Sequence, residues 1–178
     1  MAASPNGTGF GWKSIGKGFA AGLVATLPMT LSMVAMHRQL TVQHRYPLPP
    51  RIITTRLLGG SGGSSKTVEH VDASELTALT MASHFAYGGA CGALYAAAER
   101  FMPGPRPATG TLFGLAVWGG SYLVWLPALG ILAPATEHPR DRAALMIAAH
   151  VVWGASTGLA LELLDRLVPP EDAGSVAA

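Results

Sequence analysis

His84 and His150 occupy the same local setting. His84-Phe-Ala-Tyr87-Gly88-Gly-Ala-Cys91-Gly92 runs on to Glu99-Arg100, and 66 residues later His150-Val-Val-Trp153-Gly154-Ala-Ser-Thr157-Gly158 runs on to Asp165-Arg166. The common form, His-x-x-aromatic-Gly-x-x-x-Gly followed by six residues, an acid and Arg, aligns without a gap and reads as an internal duplication. At about 100° per helical residue, His84, Tyr87, Gly88 and Gly92 share one face, as do His150, Trp153, Gly154 and Gly158. Glycines four apart remove side chains where a backbone, an aromatic ring or a flat cofactor must come close.

Three chemistries suit such a pair. Each imidazole could hydrogen-bond a hydroxyl or carbonyl across a helix interface and hold register. The two could be axial ligands of a haem b, its porphyrin lined by Gly88, Gly92, Gly154 and Gly158 and flanked by Tyr87 and Trp153. Or, with a proton affinity near neutrality, they could relay protons or ions. A second echo, Glu69-His70-x-Asp72 and Glu137-His138-x-x-Asp141, offers carboxylate and imidazole for a divalent metal. Its alignment needs a two-residue shift, and helix capping by Asp72 and Asp141 accounts for it more simply. No Ser-His-Asp, HExxH or phosphate-loop pattern is present, so the chain reads as a protein that is not an enzyme.

The elements that hold these residues are apolar. Charged residues make up 12% of the 178, about half the usual share. Gly18–Met36, Leu76–Ala98, Pro107–Ala135 and Ala143–Leu161 lack Asp, Glu, Lys and Arg. Each is long enough for a helix to cross a hydrocarbon layer of ~30 Å. A soluble bundle of helices this long would carry Lys or Glu on its wet face. The expected fold is therefore all-α, a polytopic membrane protein with four transmembrane helices at about 17–38, 73–100, 108–128 and 139–168. Flexible tails are expected at 1–16 and 169–178. A net charge of +2 with scattered Lys and Arg points away from nucleic acid. The lone Cys91 cannot form an internal disulfide. The expected partners are the lipid bilayer and other membrane subunits or a homo-oligomer.

Along the chain, Trp12 and Lys13 suit a headgroup-level anchor. Pro28 should kink the first span, with Thr26, Thr30 and Ser32 able to satisfy the freed carbonyl. Arg45–Arg51, rich in proline, should be extended, and Ile52, Ile53, Leu57 and Leu58 could form a short interfacial helix before a flexible Gly/Ser linker. Asp72-Ala-Ser-Glu75 has the form of a capping box. Gly130 and Pro134 should end helical structure after Trp125-Leu-Pro127. Short connections make the second and fourth spans run in the same direction, which brings both histidines to similar depth as two repeated helix pairs. Lys13, Lys17, Arg100, Arg106 and Arg166 lie on the side of the termini and the opposite loops carry seven Lys and Arg, five of them in the long loop, where charge counts for less. This gives a preference for cytoplasmic termini.

Tyr46-Pro-Leu-Pro-Pro-Arg51 after the first span, Trp125-Leu-Pro127 and His150-Val-Val-Trp153-Gly154 together resemble the YagU-like bacterial inner-membrane proteins. The resemblance implies the inner membrane, a similar size and topology, and a loose association with acid stress. It brings no catalytic residues, and neither the Gly/Ser linker nor the His84 repeat matches it. The functional expectation is a structural or accessory-type integral membrane protein built around a His84/His150 polar centre, with haem binding and proton or ion relay as alternatives.

Overall fold

A computed structural model describes residues 11–59 and 72–168. The helices are α1 (Trp12–His37), α2 (Pro49–Gly59), α3 (Ala73–Ala98), α4 and α5 (Arg140–Leu167). α4 covers Arg106–Ala128: an α-helix over Arg106–Gly119, a π-helical turn over Gly120–Trp125 and a last α-turn at Leu126–Ala128. Short 3-10 turns at Val42–His44, Glu99–Phe101 and Ala135–Glu137 complete the described chain. The structure is helical, and α1, α4 and α5 are long and apolar enough to cross a membrane. α3 has the length, at 26 residues, but Ser74, Thr77, Thr80, Ser83 and His84 dilute its apolar character. Its hydroxyls bond backward into their own helix, Thr77 to Ala73 O at 2.8 Å and Thr80 to Leu76 O at 2.7 Å, which removes most of their cost in an apolar setting.

α3 packs on α1, α1 on α5 and α5 on α4, each along its length. A Cβ on Gly22 would strike Gly88 O, and one on Gly92 would strike Gly18 O; one on Gly110 would strike Gly154 O, and one on Gly158 would strike Arg106 O. In both pairs the residue number rises on one helix as it falls on the other, so the partners are antiparallel. Since Lys17 meets Asp165 and Gly22 meets Trp153, α5 also opposes α1, and α3 and α5 point the same way. For helices that cross a membrane, association depends on close van der Waals contact rather than on apolar burial, because acyl chains are as apolar as the helices. Glycine provides that closeness at both crossings.

Beyond the crossings, buried Tyr95 and Leu161 form one apolar cluster, and the Tyr95 hydroxyl donates to Arg106 O at 2.9 Å and lies 2.8 Å from Thr109 Oγ1. The acids of the two acid-Arg ends meet there: Lys17 and Arg106 bind Asp165 at 2.7 and 2.6 Å, and Arg106 binds Glu99 at 2.8 Å. Glu162 pairs with Arg166 a turn away.

Several local expectations are corrected. α1 starts at Trp12, so Trp12 and Lys13 form its first turn instead of preceding it. The hydroxyls of Thr26, Thr30 and Ser32 bond the carbonyls of Gly22, Thr26 and Met29, none of which is the Val24 carbonyl that Pro28 leaves unpaired. The proline segment is not extended to Arg51: Pro49 and Pro50 open α2, where a fixed φ and a missing N–H cost nothing. Asp72 caps α3 through the Ser74 amide at 3.3 Å, whereas Asp141 lies inside the first turn of α5 and Pro139 holds the cap position. The Gly/Ser linker beyond Gly59, with Glu69 and His70, lies outside the described residues, as do the first ten residues and 169–178.

Candidate functional site

Between the glycine crossings and the opposite end of the bundle, the helices separate around a cavity of about 200 Å³. Both imidazoles line it, His84 from α3 and His150 from α5, together with Tyr87, Tyr122, Trp125 and Trp153. α1 supplies Met29 and Met33, and α2 closes over it with Ile53, Thr54 and Leu57. No Asp, Glu, Lys or Arg is among its lining residues. Gly88 lets α3 lie close to α1 at Thr26, and one turn earlier the wider spacing leaves the room that His84 borders.

His150 is 5% exposed. Its Nδ1 lies 2.7 Å from Met146 O on the same helix; a carbonyl only accepts, so Nδ1 carries the proton and Nε2 the free lone pair. Tyr122 stands edge-on to the ring at 5.8 Å between centroids. His84 has no such anchor at Nε2, which is buried and lacks a hydrogen-bond partner. Neither imidazole is tied across a helix interface in the manner expected of a register pin. The Trp153 indole does cross one, donating to Gly22 O at 3.3 Å, which keeps Trp153 upright between α1 and α5.

At the flank between α3 and α4, Tyr87 meets Ser121 at 3.0 Å, and Ser121 accepts from Trp125 Nε1 at 3.2 Å. Ser121, Tyr122 and Trp125 all belong to the π-helical turn. Pro127 has no N–H to return to the Leu123 carbonyl, and the helix widens just ahead of it. Gly119 precedes the turn and Gly120 opens it, with nothing within 4 Å of a Cβ added at either.

The glycines assigned to a cofactor face point elsewhere. Gly92, Gly154 and Gly158 pack on the backbones of Gly18, Gly110 and Arg106, and of the four only Gly88 also reaches the cavity. A porphyrin would need those flat faces free, so this arrangement fits haem poorly.

Of the surface echo, His138 Nδ1 lies 2.9 Å from the Tyr46 hydroxyl and Asp141 is 2.6 Å from His44 Nδ1. Among the described residues no group of three or more His, Cys, Asp or Glu could hold a metal ion. What organises this end is Arg142, which sequence reasoning passed over. Its guanidinium, 5% exposed, donates to His44 O at 2.9 Å, Tyr46 O at 2.8 Å and Pro47 O at 3.0 Å, and lies 3.5 Å from the Tyr46 ring centroid. A planar fork of donors suits converging carbonyls. It fastens the segment that leads into α2, and hence the lid of the cavity.

The model of a family described as "Protein of unknown function (DUF1440)" matches residues 16–159. No curated protein and no solved structure matches the chain.

Proposed function

The chain belongs to the DUF1440 family, a family of unknown function, and from that premise we propose a small integral membrane protein of non-enzymatic, accessory type, organised around a His84/His150 binding chamber. In this reading α3 is a fourth span sheltered by α1, and the helices form two duplicated pairs, α1 with α3 and α4 with α5. The matching glycine crossings support the duplication. The resemblance of Tyr46–Arg51, Trp125–Pro127 and His150–Gly154 to YagU-like proteins supports the bacterial inner membrane, and the distribution of Lys and Arg between the two sides gives the preference for cytoplasmic termini.

One observation carries the reading: two imidazoles border a common cavity that no Asp, Glu, Lys or Arg lines. With no carboxylate beside either ring to orient it, the pair is better suited to holding a molecule than to transforming one. The test is purification in a mild detergent, followed by size analysis and absorbance. The protein should elute colourless and associated with other membrane subunits or with further copies. An isolated chain carrying a Soret band would overturn the reading in favour of a bis-histidine haem.

A second reading, a proton relay, has one observation in its favour. His84 also borders a cleft of about 220 Å³ that extends to His37 at the end of α1. Proteoliposomes loaded with a pH dye would decide it: proton flux lost in His84→Phe favours the relay.

A further inference from the structure

We propose that the chamber takes a neutral, ring-bearing hydroxyl compound from the bilayer, of the class of a hydroquinone or phenol headgroup on an apolar tail. This rests on the reading of His84 and His150 as a binding chamber and adds what it binds.

Size comes first. An apolar cavity of about 150 Å³ holds one benzene ring, so about 200 Å³ has room for one six-membered ring with its hydroxyls. Charge comes next. No Asp, Glu, Lys or Arg lines the cavity, and an ion brought here would lose its hydration without meeting a fixed counter-charge. The ligand is neutral.

Hydrogen bonding then selects its polarity. The Met146 carbonyl takes the Nδ1 proton of His150, which leaves Nε2 as an acceptor; His84 Nε2 is buried and unpartnered. The nearby threonine hydroxyls are already spent, Thr26 on Gly22 O and Thr54 on Pro50 O. The chamber therefore has one imidazole acceptor, His150 Nε2, and an unpartnered His84 Nε2 that accepts or donates according to its tautomer; a hydroxyl group, which both donates and accepts, suits the pair. Tyr122 and Trp153 offer ring faces and edges that favour an aromatic body over an aliphatic one.

The way in lies on the flank. Leu57, Tyr87 and Trp125 line the chamber yet are 62%, 43% and 37% exposed, so they form its mouth between α2, α3 and the π-helical turn. That mouth is apolar and aromatic and faces the surroundings of the long apolar helices. A ligand entering there can leave its tail among acyl chains.

The experiment is calorimetric titration of the full chain in nanodiscs with nonylhydroquinone, and with nonylbenzene as the same ring and tail without hydroxyls. Nonylhydroquinone should saturate at one per chain over the signal of empty discs, and nonylbenzene should only partition. His150→Ala should weaken binding about tenfold, the worth of one acceptor. Leu57→Trp, at an exposed site that leaves the fold intact, should weaken it comparably by filling the mouth. Nonylbenzene saturating as tightly as the hydroquinone, or folded His150→Ala binding as the natural chain does, would sink the ligand class while leaving the chamber standing. If neither probe exceeds partition into empty discs, the chamber reading falls as well. Should His150→Ala fail to fold, Leu57→Trp and His150→Gln decide: binding unaltered in both counts against the proposal.

Discussion

Replacing Arg142 by methionine should release the His44–Pro50 segment and with it the α2 lid. The guanidinium makes three hydrogen bonds of 2.8–3.0 Å to loop carbonyls and stacks on Tyr46. One bond from a charged donor contributes about 1.5–3 kcal/mol, and a cation over an aromatic ring roughly 0.5–2 kcal/mol. Because one group makes all these contacts, they do not add. Removing the donor leaves loop carbonyls unsatisfied, at about 1–3 kcal/mol for each one buried. At about 3 kcal/mol, local opening becomes roughly 150-fold more frequent. Arg142→Lys keeps the charge but loses the fork and the stacking, and at about 1–2 kcal/mol it should open the segment roughly 5- to 30-fold more often. Hydrogen exchange read by mass spectrometry over residues 42–59 measures this directly, with the Gly22/Gly88 crossing as an internal reference that should not change. Exchange in Arg142→Met within twofold of the natural chain would refute the clamp.

Other perturbations follow from the same contacts. Gly154→Ala places a Cβ against the Gly110 carbonyl and should lower stability by about 1–3 kcal/mol. Gly119→Ala meets open space and should be neutral or stabilising by up to about 1 kcal/mol; thermal melts in detergent compare the two, and equal effects would contradict the crossing. Tyr95→Phe removes one donor from Arg106 O, which still accepts from Thr109 Oγ1 at 3.2 Å, and should cost about 0.5–1.5 kcal/mol, read in the same melts. Asp165→Asn loosens the Lys17 and Arg106 pairs, which are partly exposed, so a loss of at most about 1 kcal/mol that shrinks with added salt is expected.

Much of the architecture is legible in the amino-acid order because glycine at four-residue spacing allows few interpretations. Gly18/Gly22 and Gly88/Gly92, like Gly110/Gly114 and Gly154/Gly158, mark where backbones meet, and the histidine one turn before each crossing falls at the edge of the space beyond. What glycine spacing leaves undecided is what comes close. Backbone and porphyrin make the same demand on a helix face, and here backbone fills it. The start of α2 was obscured by Pro49-Pro50, since proline breaks a helix inside and begins one at its first turn. Arg142 was obscured by distance, as its partners lie more than ninety residues away and are carbonyls, which every residue has. The π-helical turn had a trace in Gly119-Gly120 followed by Pro127, but that combination also fits a plain helix end. α3 shows how hydroxyls bonded to their own helix can make a long helix look more polar than its surface is.

The central claim is that the imidazoles of α3 and α5 border one cavity. A His84→Cys, His150→Cys pair, made with Cys91→Ala because Cys91 lines the same cavity, tests it through a short bifunctional thiol reagent applied in native membranes. An intramolecular bridge should form in high yield, and Leu94→Cys, on the exposed side of α3, should not bridge to His150→Cys. Both cysteines reacting singly with no bridge, or Leu94→Cys bridging as readily, would contradict the account.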